Sequence, residues 1–138
     1  MNEQITELCL SLTREQRERL VRILTNANKQ EAEKAESAER FRILLDVAEE
    51  MFGEEILTKL RNYHRVTARQ FIAYQMKQEG YSYSAIGRLL GRSHSTVIRM
   101  CAMMDDVFRF RFQPEMKLWN QYQMKLKRYE DERKDREI

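Results

Sequence analysis

Residues 86–99 read IGRLLGRSHSTVIR, and this stretch decides the fold. Apolar residues cluster on both sides of Gly91, and two short helices joined by a glycine-containing turn are typical of a helix-turn-helix. Ser93 follows the turn, at a position where a hydroxyl can cap the next helix. We therefore predict a short helix from Ser82 or Tyr83 to Leu90 and a second helix after Ser93. The predicted buried face of the second helix consists of Val97, Ile98, Cys101 and Met104.

Helical patterns also occupy the chain before this stretch. Thr13 and Gln16 have the spacing of a capping box, which predicts a helix start. Residues 26–39 are polar and fit a solvated helix better than a linker, because they contain no Gly or Pro. The next apolar residues recur at helical spacing and predict a buried stripe. They are Phe41, Leu44, Leu45, Ala48, Met51 and Phe52. One further short helical turn is expected around Ile56, Leu57 and Leu60, and another helix from about Ala68 to Glu79.

The composition favours an all-α protein. The chain has 138 residues, of which only 4 are Gly and 1 is Pro, so the turns that sandwiches and barrels require are scarce. A last helix is expected from about Glu115. Its apolar residues are spaced by three and four, as in a seam that docks either on the core or on a partner helix. These residues are Trp119, Tyr122, Leu126 and Tyr129.

Positive charge is concentrated in one part of the chain. The net charge is only +3, but residues 61–99 contain seven basic residues and one acidic residue, Glu79. This segment therefore carries +6, and the remainder of the chain is net negative. Such a distribution is expected of a surface that binds a polyanion.

The first turn of the helix after Gly91 has the chemistry of a DNA-reading element. A helix amino terminus presents free N–H groups and partial positive charge, which suit a phosphate. In a recognition helix the same end faces base edges in the major groove, where His, Arg and hydroxyl side chains can contact bases. The candidates are Arg92, Ser93, His94, Ser95, Thr96 and Arg99. Alternatively, the serines are only caps and the arginines only solvated charges.

The segment Val66–Met104 resembles the carboxy-terminal DNA-binding domain of the bacterial replication initiator DnaA. Arg69-Gln70 and Ile86-Gly87 match two pairs of that family, and residues 91–97, GRSHSTV, match its Gly-Arg-Asp-His-Thr-Thr-Val motif. The pattern Val47-Ala48-Glu49 and the turn after Gly53 extend the resemblance to about residues 38–104. The resemblance implies an all-α helix-turn-helix bundle, of the DnaA carboxy-terminal or Trp-repressor-like type, with extra N- and C-terminal helices.

The resemblance also implies roles for individual residues. His94, Ser95 and Thr96 are expected to contact bases or phosphates, and Arg69, Arg88 and Arg92 the DNA backbone. The chain departs from the family where Ser93 replaces Asp and where one Gly of a pair is missing. Thr67 replaces the arginine that enters the minor groove in the family, and Arg65 lies two residues earlier. Arg65 is therefore added to the expected DNA-binding residues.

Several classes of function are not expected. The four glycines do not form the GxxxxGK[ST] phosphate loop of an ATPase, and His64 and His94 lack partners at metal-ligand spacing. We expect no catalytic residues, no metal and no cofactor, and hence no enzyme. Cys9 and Cys101 have no CxxC spacing, and neither a signal peptide nor a membrane-spanning run is evident. The protein is therefore expected in the cytoplasm, associated with the nucleoid.

The sequence thus predicts three regions: an N-terminal helical extension (1–37), a DnaA-like DNA-binding domain (38–108), and a C-terminal helix with a charged tail (109–138). The expected function is sequence-selective binding of double-stranded DNA, as a transcriptional regulator or a replication accessory factor without ATPase activity. The alternative is a protein–protein interaction module that uses the N- and C-terminal helices, with the helix-turn-helix as scaffold. A homodimer or a protein partner could then bind through the seam of Trp119, Tyr122, Leu126 and Tyr129.

Overall fold

A computed structural model describes residues 12–58 and 61–137, and these residues form five α-helices and no strand. The helices are α1 (Arg14–Phe52), α2 (Tyr63–Gln78), α3 (Tyr83–Leu90), α4 (His94–Phe110) and α5 (Glu115–Glu137). The predicted all-α class is confirmed. None of the helices in the described residues is long and apolar enough to cross a membrane.

The chain divides into two compact units, residues 1–36 and residues 37–138. In the described part of the first unit, the Gln16 amide donates to Thr13 Oγ1 at 3.2 Å and the Thr13 amide donates to Gln16 Oε1 at 3.0 Å. The predicted capping box is therefore confirmed. Residues 26–39 are helical, as expected. Cys9 and the first eleven residues of the predicted extension lie outside the described residues, and the three predicted regions stay a prediction.

The second unit is built on one apolar core to which α1 to α5 and the α1–α2 loop all contribute. Phe71 of α2 lies within it, with its ring centroid 5.3 Å from that of Trp119 and 5.7 Å from that of Tyr122. Burial of each large side chain contributes about 1.5–3 kcal/mol, so the shared core holds the helices together. The fully buried large side chains are Leu44, Val47, Ile56, Phe71, Ile72, Met76, Ile86, Val97, Met104 and Tyr122.

The predicted seam on the last helix docks on this core. Tyr122 is completely buried and its hydroxyl donates to the Leu44 carbonyl at 2.8 Å, and Leu126 is 3% exposed. Trp119 and Tyr129 are half-buried against the same core. The structure therefore does not support the prediction that this seam serves a homodimer or a protein partner, because the chain's own α1 and α2 pack against it. The N-terminal part of that alternative stays a prediction.

Three local predictions are corrected. Ile98 is 44% exposed instead of buried, because the inward stripe of α4 runs through Val97, Cys101, Met104 and Val107. Helix α2 begins at Tyr63 rather than near Ala68, since the Asn62 side chain caps it by accepting from the Arg65 amide. Residues 54–58 are a non-helical loop where a helical turn was expected, and Leu60 lies outside the described residues.

Candidate nucleic-acid interface

The turn between α3 and α4 is built from capping interactions. Ser82 caps α3 by accepting from the Ala85 amide at 3.1 Å. At the other end, Gly91 adopts a left-handed conformation (φ 69°, ψ 35°) that glycine tolerates without strain. The next amide, that of Arg92, donates to the Gly87 carbonyl at 2.8 Å. These bonds reverse the chain within three residues and set the angle at which α4 leaves α3.

Gly87 allows α3 to approach the turn closely. A Cβ atom at this position would lie 2.6 Å from the Arg92 carbonyl oxygen and 3.4 Å from the His94 amide nitrogen. Both neighbours are backbone atoms, which cannot rotate away as a side chain could. The glycine of the Ile86-Gly87 pair is therefore required by the packing of the turn against α3.

Ser93 begins α4 as its cap. Its Oγ accepts from the Thr96 amide at 3.2 Å and lies 2.9 Å from Thr96 Oγ1. Ser93 is exposed and Thr96 is half-buried. The two hydroxyls therefore stabilise the first turn of the helix through each other, in addition to any contact that they make with a ligand.

The outer face of α4 starts with side chains that have no partner among the described residues. His94, Ser95 and Arg99 are exposed and form no hydrogen bond or ion pair with any residue in the described ranges. Ile98 lies on the same exposed side, one turn after His94 and Ser95. The start of α4 thus presents donors, acceptors and an apolar group to a ligand.

Three arginines hold the α1–α2 loop against this region. The Nε of Arg65 donates to the Glu55 carbonyl at 2.7 Å, and that of Arg69 donates to the Ile56 carbonyl at 2.9 Å. Arg69 and Arg92 both donate to the carbonyl of residue 58, Arg92 at 3.2 Å. These carbonyls accept from guanidinium groups rather than from helical amides, which agrees with the non-helical path of the loop. Arg69 is only 3% exposed, a placement that differs from the predicted contact with the DNA backbone.

Positive charge gathers beside the start of α4. A groove of about 210 Å³ lies between α2 and α4, and four arginines line it. We call it the arginine groove: Arg61, Arg69, Arg92 and Arg99, with Gln70, Thr96 and Met103 among the other lining residues. Burial lowers the pKa of the Arg69 guanidinium below its ordinary value, and the charges of Arg92, Arg65 and Arg61 lower it further. Like charges held this close create a positive potential that a bound anion would relieve.

The nine predicted contact residues therefore have different environments. Five are exposed (Arg88, Ser93, His94, Ser95, Arg99), three are half-buried (Arg65, Arg92, Thr96) and one is buried (Arg69). In the described part of the chain, no carboxylate forms an ion pair with Arg65, Arg88, Arg92 or Arg99. The sequence-based set omitted two residues that the structure adds to this surface. Arg61 belongs to the basic segment and could have been included, whereas the periodicity of α4 had assigned Ile98 to the core.

A short helix, a tight glycine turn and a second helix whose exposed first turn lies beside a basic groove define a helix-turn-helix domain of the DNA-binding class. Residues 47–103 match the family model described as the bacterial dnaA protein helix-turn-helix. The matched segment is less than half of the chain, and it confirms that residues 47–103 are similar to the DnaA helix-turn-helix. No curated protein and no solved structure matches the chain.

Proposed function

We propose that this protein binds double-stranded DNA with sequence selectivity by placing the first turn of α4 in the major groove. The observation that carries the proposal is the start of α4, where the exposed side chains of His94 and Ser95 lie beside the arginine groove and have no partner within residues 12–58 and 61–137. The family match supports DNA binding as such. We propose in addition that the binding is sequence-selective and that single residues have the roles given below.

The outer face of α4 supplies groups suited to base edges. His94 can donate to the acceptors of guanine, and the Ser95 hydroxyl can donate or accept. Ile98 adds an apolar contact for the methyl group of thymine, a contact that only the major groove offers. An exposed isoleucine costs free energy in water, and a thymine methyl would cover it.

The arginines around this face divide into three groups. Arg61, Arg88 and Arg99 are exposed and free of ion pairs among the described residues, so we assign them to phosphates. Arg65 and Arg92 are half-buried, and their charge adds to the same field. We assign Arg69 a positioning role: its guanidinium holds the loop carbonyls of residues 56 and 58, and so keeps the loop beside α4.

We further propose that the protein acts as a transcriptional regulator or as a replication accessory factor. The matched family model is a DNA-binding element, which supports a role in binding rather than in catalysis. We propose that the protein has no ATPase activity, since the phosphate-loop pattern is missing from this sequence. We also propose that it is located at the nucleoid in the cytoplasm.

The first experiment combines selection of duplexes from a random pool with fluorescence anisotropy on the selected site. Five arginines near phosphates release about five counterions, so the plot of log affinity against log salt should have a slope of about −4 to −5. The selected site should bind well above an unselected duplex at the same salt. A flat salt dependence, or the absence of binding at low salt, would falsify DNA binding.

The second experiment separates base reading from phosphate contact. We expect Ser95→Ala and Ile98→Ala to cost about 1–3 kcal/mol on the selected site and much less on mutated sites. Arg88→Ala should weaken all duplexes alike and reduce the salt slope by about 0.9. Arg128→Ala, an exposed arginine on α5, is the matched control and should change neither quantity. If every variant lost the same binding free energy on every duplex, direct readout of bases by α4 would be ruled out.

A further inference from the structure

The segment that alternates Phe and Arg after Val107 is not used by the proposed DNA contact. Phe110 is 58% exposed and Phe112 is 50% exposed, and their ring centroids are 5.8 Å apart. Arg111 ends α4 in a left-handed conformation (φ 54°), and this reversal brings Phe112 back beside Phe110. Two large aromatic side chains next to each other in water mark an interaction surface rather than scattered surface residues.

A groove of about 470 Å³ adjoins these aromatics, between α2, α4 and the start of α5. Its apolar lining includes Tyr63, Val66, Met103 and Phe112, and Tyr63 and Met103 are each nearly half exposed. Two carboxylates, Asp106 and Glu115, also line it. Glu115 accepts a hydrogen bond from the Tyr63 hydroxyl at 2.9 Å, which orders this end of the groove. We call it the acidic groove.

The acidic groove and the aromatic segment have complementary chemistry. Phe110 lies between two exposed arginines, Arg109 and Arg111, and the Arg109 guanidinium lies 5.3 Å from the Phe110 ring. An apolar groove with carboxylates fits an aromatic side chain that is flanked by arginines. Because Phe112 belongs to both features, they are neighbours on one surface. Neighbouring complementary features can satisfy each other across a twofold axis, as in an isologous dimer.

We propose that this surface binds a second copy of the chain. Phe110 of one copy enters the acidic groove of the other between Tyr63 and Met103, and Arg109 and Arg111 face the carboxylates of Asp106 and Glu115. The same contacts repeat across the twofold axis. The contact removes four large, half-exposed apolar side chains of each copy from water, and this burial drives the association.

The acidic groove shares Val66, Gln70 and Met103 with the arginine groove. The second copy therefore lies next to the proposed DNA surface, while His94 and Ser95 remain outside the contact. Two copies joined in this way present two recognition helices, an arrangement that matches paired half-sites. Self-association does not depend on DNA, so it can be tested without it.

The test is sedimentation equilibrium of the full chain over a series of concentrations, without DNA. We expect a reversible monomer–dimer equilibrium in which Phe110→Glu raises the dissociation constant at least about tenfold. Met124→Glu is the matched control, because Met124 is 70% exposed on α5 and lies outside the proposed contact. Circular dichroism and thermal unfolding of each variant establish that it is folded. A monomer at every concentration would overturn the proposal, as would a dimer that Phe110→Glu leaves intact.

A charge exchange tests the ion pairing separately. Asp106→Lys should weaken self-association by bringing like charges together, and so should the pair Arg109→Glu with Arg111→Glu. Combining all three substitutions restores opposite charges at residue 106, while Glu115 still faces the introduced glutamates, so it should recover part of the lost affinity. If the triple variant self-associates no more tightly than the weaker of Asp106→Lys and the double arginine variant, the acidic groove and the aromatic segment do not face each other.

Discussion

Replacing Gly87 by alanine should disturb the turn that aims α4. The added Cβ would lie 2.6 Å from the Arg92 carbonyl oxygen, a distance that van der Waals repulsion forbids. Because the opposing atom belongs to the backbone, the turn of residues 91–93 has to move away from α3. The first turn of α4, with His94 and Ser95, moves with it. The expected result is a loss of both stability and DNA affinity.

The magnitude follows from two opposing effects. Overpacking of this kind costs about 1–3 kcal/mol, and alanine regains roughly 1 kcal/mol through its better helix propensity. Because the opposing atom belongs to the backbone, the overpacking cost lies in the upper part of this range, at about 2–3 kcal/mol, and we expect a net loss of about 1–2 kcal/mol in the free energy of unfolding. For a unit of roughly 100 residues, each kcal/mol lowers Tm by about 4–8 °C, so Tm should fall by about 5–15 °C.

Thermal unfolding and anisotropy on the selected duplex measure the two effects. Gly91→Ala is the matched control in the same turn: its Cβ would meet no atom within 4 Å, and its cost is the left-handed backbone, about 1–2 kcal/mol. At a temperature where both variants are folded, Gly91→Ala should keep its affinity and Gly87→Ala should lose about tenfold. If Gly87→Ala keeps both its Tm and its affinity, the close approach does not set the turn.

The remaining predictions concern buried polar groups. Arg69→Met leaves the Ile56 carbonyl without its guanidinium donor and the carbonyl of residue 58 without one of its two, so urea unfolding should show a loss of about 2–3 kcal/mol. The exposed control Arg88→Met should change stability by less than roughly 0.5 kcal/mol. Similar small losses for both would contradict the loop-holding role. Tyr122→Phe should cost about 1 kcal/mol at neutral pH by removing the bond to Leu44. Burial raises the pKa of Tyr122 far above its usual value, so only the unfolded chain loses this proton above pH ~10. Above pH ~10 the free energy of unfolding should therefore fall more steeply with pH in the parent than in Tyr122→Phe, by up to about 1.4 kcal/mol per pH unit. Parallel pH profiles of the two proteins would contradict this.

The sequence alone was sufficient for the features that depend on local interactions. The capping box at Thr13, the glycine at position 91 and the cap at Ser93 each act within four residues, so the order of residue types predicts them. Apolar spacing predicted most of the core stripe that includes Leu44 and Ala48 for the same reason. The match of residues 91–97 to a known motif then indicated the class of domain.

Only the tertiary structure decided which groups face each other across the chain. Arg69 is a loop anchor because its partners are backbone carbonyls of residues 56 and 58, and a carbonyl is the same in every residue, so no sequence pattern reveals it. The spacing of the seam around Tyr122 was compatible with packing on the core or on a partner. The hydrogen bond from the Tyr122 hydroxyl to the Leu44 carbonyl shows that it packs on the core. Ile98 is exposed because the neighbouring helices cover only the narrow stripe of α4 beside it, and helical period alone does not give that width.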